Sequence, residues 1–216
     1  MDLEKILKNI PDKKGKTGVG RKTTSYQFKK DLNDFFGEDY KDKNIVELGT
    51  HFGYSAYFLS FYFKNIFTIE RWEDCANAAK ENNKSRDNVH IIQGDLYDKN
   101  TWIDIIKNKI EVIFIDAGHT YDDVMRDTLE ALERFKNITI IYDDYGLPGN
   151  NEVNLAVNKL IQLGKITPIK KVGYPKGSDI FGTGEILEDW EGIICKSNIN
   201  TGSDFNMFNN PIVTSW

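Results

Sequence analysis

Cysteine is scarce in this chain: two in 216 residues, Cys75 and Cys195, far apart and with neither a CxxC partner nor a histidine cluster nearby. That pattern carries no zinc signature. A single disulfide stays open in principle, while reduced, packed thiols suit the spacing better. No apolar run approaches the roughly 18–20 residues that a bilayer span needs. The opening stretch MDLEKILKNIPDKKGK lacks the uninterrupted apolar core and small-residue cleavage site of a secretory signal. A basic surplus is missing too: the net charge is −5, which argues against nucleic acid, since phosphate binding needs a basic face. No internal repeat and no interdomain linker are visible. These absences lead to the expectation of a soluble, cytoplasmic protein without membrane or nucleic-acid partners.

The hydrophobic fraction is 40% with 12% aromatics, too rich for a disordered chain. The length suits one globular domain. Residues 1–40 are expected to be an N-terminal arm, 41–197 the domain, and 198–216 a C-terminal tail whose aromatics could dock on the body or on a second subunit. A homo-oligomer therefore stays open. The arm carries Lys13, Lys14, Lys16, Arg21, Lys22, Lys29 and Lys30. It reads as a solvated segment, with a lid over a ligand, or a contact with an acidic partner, as the functional alternatives.

Short apolar runs alternate with helical stretches over most of the chain. Strands are expected at 45–48, 66–70, 89–92, 112–116 and 138–142, with helices at 54–63, 74–83, from 121 onward, and 152–163. The stripe Val124, Leu129, Leu132 and Phe135 fits a helical period. Continuous apolar strands of this kind belong to a parallel sheet covered on both faces. Two later strands, 166–172 and 190–195, flank a glycine-rich loop and read as an antiparallel hairpin at the sheet edge. The expected architecture is α/β and Rossmann-like: a seven-stranded, mostly parallel sheet with helices on both faces.

In an open α/β sheet, ligands bind at the carboxyl ends of the strands. Every expected strand end here carries an acid: Glu47, Glu70, Asp95, Asp116, and Asp143 with Asp144. One such acid would mean little, but a succession on one edge suits a ligand rich in hydroxyl or amino donors, or a metal. The turn Glu47-Leu48-Gly49-Thr50-His51-Phe52-Gly53 is an ExGxxxG pattern, and Glu70 follows Gly49 by 21 residues, placed to accept ribose hydroxyls. The GxGxxG of nicotinamide-binding proteins is absent, and Glu47 would repel a pyrophosphate. An acid there better suits a cationic ligand end such as an amino group. S-adenosylmethionine (SAM) fits the set, with its ammonium at Glu47, its ribose at Glu70 and its adenine near Asp95.

The stretch from Glu47 through Ser55 to Ala56 resembles the ELGxxxGYSA motif of catechol-type O-methyltransferases, and Thr68-Ile69-Glu70 with Asp74-Cys75-Ala76 resembles their second strand and helix start. Asp143-Asp144-Tyr145-Gly146, Pro148-Gly149 and Ala156-Val157 are similar to the DDYG…PG…AV signature of macrocin-type sugar O-methyltransferases. The resemblance spans residues 45–163 and points to a class I SAM-dependent methyltransferase. It implies that Glu47 binds the methionine amino group and Glu70 the ribose. Gly49, Thr50, His51, Gly53 and Ser55 would line the methionine end. Arg71, Trp72, Asp95 and Leu96 would border the ribose and adenine, Trp72 by stacking, and Asp116 also belongs to the cofactor set.

The resemblance further implies a divalent cation, Mg²⁺ or another, held by Asp116, Asp143 and Asp144. Two adjacent carboxylates repel each other without one. His119, three residues after Asp116, stands where the catechol-type pattern has its catalytic lysine and is the expected base. Gly118 stands where the sugar-methylating relatives carry an aspartate, which puts a sugar-type mechanism in doubt. The expected activity is transfer of a methyl group from SAM to a hydroxyl of a small-molecule acceptor. Its rivals are a metal-independent methyltransferase acting on an amine or a protein side chain, and a non-catalytic binding protein on the same fold.

Overall fold

The computed structural model describes residues 3–10, 23–149 and 152–198. The elements run α1 (Leu3–Leu7), α2 (Tyr26–Phe36), β1 (Asn44–Leu48), α3 (Tyr54–Leu59), β2 (Asn65–Glu70), α4 (Glu73–Asn82) and β3 (Val89–Gln93). A 3₁₀ turn at Lys99–Trp102 follows, then β4 (Val112–Ile115), α5 (Tyr121–Arg134), β5 (Thr139–Tyr142), α6 (Val153–Gln162), β6 (Ile166–Val172) and β7 (Gly192–Ser197). The strands form one seven-stranded sheet in the order β3-β2-β1-β4-β5-β7-β6. Strands β1 to β5 pair in parallel, and β7 runs antiparallel to both β5 and β6.

Alternation along the strands divides the core in two. Val46, Leu48, Ile113, Ile115, Ile140 and Tyr142 face one layer, against Val124 and Leu132 of α5 and Ala156 and Leu160 of α6. Ile45, Ile66, Val112, Phe114 and Ile141 face the other, against Phe28, Leu32 and Phe36 of α2 and Ala56, Phe58 and Leu59 of α3. Residues buried on both faces explain why these strands read as unbroken apolar runs. Among the described residues, no helix is long and apolar enough to cross a membrane.

Three details differ from the sequence-based expectation. Helix α3 stops at Leu59 instead of reaching residue 63, because the Ser60 carbonyl accepts Arg86 Nη2 at 2.8 Å and Asn88 Nδ2 at 2.9 Å, and the chain turns so that Tyr62 and Phe63 enter the core. The antiparallel strand begins at Gly192 and sits one place in from the edge, between β5 and β6. Ile193, Ile194 and Cys195 thereby gain cover on both faces, while the outermost strand β6 exposes its middle and carries Pro168 and lysines, residues that discourage edge pairing.

The third difference concerns the span taken as an arm. Helix α2 lies within it and belongs to the body: Ser25 caps it by accepting from Phe28 N at 3.0 Å, and its Phe28, Leu32 and Phe36 stripe is buried. Lys29, expected in solvent, is fully buried; its ammonium donates to Thr23 Oγ1 at 3.0 Å, to Thr24 Oγ1 at 2.7 Å and to the Thr24 carbonyl. Lys13 to Lys22 and the tail from residue 199 lie outside the described residues.

Candidate active site

A cavity of about 540 Å³ opens at the carboxyl ends of β1, β2, β3, β4 and β5. Backbone geometry at its rim depends on two glycines. At Gly49, φ is +93° and a Cβ would lie 2.1 Å from the Asp116 carbonyl oxygen, so only glycine lets β1 turn this close to the end of β4. At Gly118 a Cβ would meet the Asp123 carboxylate at 2.5 Å. An aspartate at this position would require the Asp123 side chain to move aside. Helix α5 starts beside it, with Thr120 Oγ1 donating to Asp123 Oδ2 at 2.6 Å and accepting from Asp123 N at 3.2 Å.

Of the residues expected to hold a cofactor, Gly49, His51, Glu70, Arg71, Trp72, Asp95, Leu96 and Asp116 line the cavity. Glu70 ends β2, nearly buried, with Oε2 accepting from His51 N at 2.7 Å and Oε1 from Trp72 N at 2.9 Å. These bonds fix the carboxylate and leave each oxygen a further lone pair for a ligand hydroxyl. His51 takes a left-handed φ of +47° to present that amide. Trp72 stands 66% exposed at the rim, with the Arg71 guanidinium 5.5 Å from its ring.

Glu47, Thr50, Gly53 and Ser55 do not line the cavity; Glu47, Thr50 and Ser55 are buried at the end of β1 and in the turn into α3. Thr68 Oγ1 donates to Glu47 Oε2 at 2.5 Å and lies 2.5 Å from Thr50 Oγ1. Glu47 Oε1 has no hydrogen-bond partner among the described residues. Burial pushes the Glu47 carboxyl up to about 8, against the opposing pull of the Ser55 and Thr68 hydroxyls. A buried carboxylate with an orphaned oxygen is the kind of group that a ligand ammonium would satisfy, so the residues present fit a SAM-like cofactor.

At the cavity's other side, side-chain atoms of Asp116, His119 and Asp144 lie within 4.8 Å of one another. His119 Nε2 is 3.1 Å from Asp144 Oδ2 and 3.8 Å from Asp116 Oδ1. The two carboxylates, Asp116 first, hold the imidazole up to about 10. Asp144 reaches the group from a left-handed φ of +57°. Asp143, expected as the third acid ligand, lines the cavity but stands outside this group, and His119 takes its place in it. Two aromatics that follow β4 and β5, Tyr121 and Tyr145, do not line the cavity. Tyr145 is buried, with its hydroxyl on Asn158 Oδ1 at 3.0 Å, and Tyr121 packs against the core. Tyr97, Asp123 and Asp127 also line the cavity and were missed, because nothing in their local sequence distinguishes them from helix and turn residues.

A seven-stranded sheet of this order, with its cavity and acids at the strand ends, defines the Rossmann-like methyltransferase class. A family profile described as a methyltransferase domain matches residues 46–145. An uncharacterized protein of Acanthamoeba polyphaga mimivirus is 31% identical over 185 residues, covering 76% of each chain. Among solved structures, an O-methyltransferase from Bacillus cereus in complex with SAH is similar with a TM-score of 0.57 at 20% identity, covering 91% of this chain and 90% of that one. The O-methyltransferase of tomaymycin synthesis from Streptomyces achromogenes, in complex with SAM, gives 0.58 at 15% identity, covering 91% and 89%. The chain belongs to the class I SAM-dependent methyltransferases.

Proposed function

We propose that the chain transfers the methyl group of SAM to a hydroxyl oxygen of a small-molecule acceptor, with a divalent cation assisting. The observation that carries this reading is the convergence of Asp116, His119 and Asp144 in the same cavity that Glu70 and Asp95 border. Glu70, at the cavity wall, would receive the ribose hydroxyls, and Glu47, buried at the end of β1 with Oε1 lacking a partner among the described residues, would take the methionine ammonium. Two carboxylates and an imidazole fit a divalent ion, and the nitrogen donor suits Mn²⁺ or a similar metal as well as it suits Mg²⁺. Such an ion would lower the pKa of an acceptor hydroxyl. The acceptor hydroxyl would give its proton to the His119 imidazole, its oxygen would bond the methyl carbon as the sulfonium–methyl bond breaks, and the electron pair of that bond would leave on sulfur as S-adenosylhomocysteine (SAH). Alignment of the two reactants supplies much of the acceleration.

His119 keeps its proton at neutral pH while it lies against Asp116 and Asp144, so its role as base requires a cation to take over that pairing. The same contact favours a second reading, a metal-independent transferase in which the imidazolium is a fixed part of the site. Calorimetric titration of SAH and of Mn²⁺ or Mg²⁺, followed by labelled-methyl transfer to a panel of hydroxylated acceptors with and without EDTA, separates them. Asp144→Asn is expected to abolish the cation heat and the transfer while SAH affinity stays unchanged. Transfer that survives both EDTA and the substitution removes the cation and leaves the second reading. Absence of SAH binding under any condition defeats both.

A further inference from the structure

Glu191 stands just before β7, is fully buried, and does not line the cavity. Its carboxylate gathers donors from two distant parts of the chain. Oε1 accepts from Ser25 N at 2.9 Å, and Oε2 accepts from Ser25 Oγ at 2.5 Å and from Tyr174 N at 3.3 Å. Gly173 makes room for this arrangement, since a Cβ there would meet Oε2 at 2.5 Å. A buried acid is tolerated only where such donors replace its water, and the same bonds fix the residue in place. From that fixed point the backbone reaches two ways: Glu191 N donates to the Tyr174 carbonyl at 2.9 Å, and the Glu191 carbonyl accepts from Tyr145 N at 2.8 Å.

The bond to Tyr145 matters because of the residue before it. Asp144 holds a left-handed φ of +57°, a conformation that a residue with a side chain keeps only where its neighbours enforce it. Here Asp143 N donates to the Ile115 carbonyl at 3.1 Å on one side of Asp144, and Tyr145 N donates to the Glu191 carbonyl on the other. A further bond, from Glu188 N to the Gly146 carbonyl at 2.8 Å, closes the clasp. Gly146 admits the approach, since a Cβ would lie 2.4 Å from the carbonyl oxygens of Asp189 and Trp190. The antiparallel register, with Tyr142 opposite Ile193, brings Glu191 to this turn. Asp144 Oδ2 thereby stands 3.1 Å from His119 Nε2, in the group with Asp116. Through Ser25 the same carboxylate also ties down the segment whose Thr23 lines the cavity.

We propose that Glu191 is a positioning residue for the cation site: through Tyr145 it holds the Asp144 carboxylate against Asp116 and His119. This rests on the cation reading of the same cavity. The test is titration of the full chain with Mn²⁺, followed by electron paramagnetic resonance, which counts the free ion and records the spectrum of the bound one. In Glu191→Gln the amide turns N–H groups toward donors that a carboxylate accepts, so the anchor loosens while the volume stays the same. Mn²⁺ affinity is expected to fall about 10-fold, the lower range for residues that orient metal ligands from outside, and the bound spectrum to change. Ser25→Ala, which removes the Oγ donor, should weaken binding to a smaller extent. Ile194→Val, a core truncation in β7, controls for lost stability alone and should bind Mn²⁺ as wild type does. Circular dichroism establishes that each variant is folded, and Ser25→Ala decides the matter if Glu191→Gln is not. Unchanged Mn²⁺ affinity and spectrum in the folded variant overturn the proposal, as does an equal loss in Ile194→Val. Wild type that binds no Mn²⁺ defeats the cation reading, a separate result that removes this proposal with it.

Discussion

Replacing Glu47 with glutamine sets the stability of the empty protein against its capacity to bind cofactor. Glu47 is fully buried, its Oε1 is orphaned, and its carboxyl is raised from 4.5 to about 8. Because the folded-state value lies above the unfolded one, the folded protein binds the proton more tightly. The associated stability is complete below about pH 4.5 and is lost as pH rises through the window up to about 8. At pH 7.5 the ionisable group costs about 4 kcal/mol relative to a permanently neutral isostere, an upper bound because the Thr68 and Ser55 hydroxyls can reorient. Urea unfolding of wild type and Glu47→Gln should therefore give curves that converge below about pH 4.5 and separate progressively toward pH 8, with the variant more stable. Calorimetry on the same samples should show weaker SAH binding by the variant, since the ammonium has lost its carboxylate. A variant less stable than wild type at pH 8, or a difference that does not change with pH, would refute the reasoning about the orphaned oxygen.

Two further outcomes follow from the geometry of the cavity rim. Gly49→Ala should destabilise the chain by about 2–4 kcal/mol, since a Cβ at φ +93° would meet the Asp116 carbonyl at 2.1 Å. A thermal melt checks it, and an unchanged midpoint would mean that β1 and β4 do not approach this closely. Trp72 stands exposed at the rim, so SAH should change the intrinsic fluorescence of wild type and leave that of Trp72→Phe almost unaltered. An equal change in both would place the adenine away from this indole.

The strand pattern was legible because parallel strands buried on both faces must be apolar throughout, and an acid after each run stands out against it. Glu47, Glu70, Asp95, Asp116, Asp143 and Asp144 were all found this way, and all but Glu47 border the cavity. Helix α2 was overlooked because lysines surround its apolar stripe; Lys29 is charged in the sequence yet fully buried, which depends on Thr23 and Thr24 folding back to meet its ammonium.

What the sequence determined by itself was local: which runs become strands, where the chain must turn at Gly49, and which residues stand at the strand ends. Tertiary structure decided what those residues meet. It slid β7 between β5 and β6, brought His119 rather than Asp143 against Asp116 and Asp144, and buried Glu47 with one oxygen lacking a partner among the described residues. Periodicity and spacing encode the direction of a side chain along its own element. Desolvation and contact arise only when distant elements pack together, and the chemistry of this site depends on both.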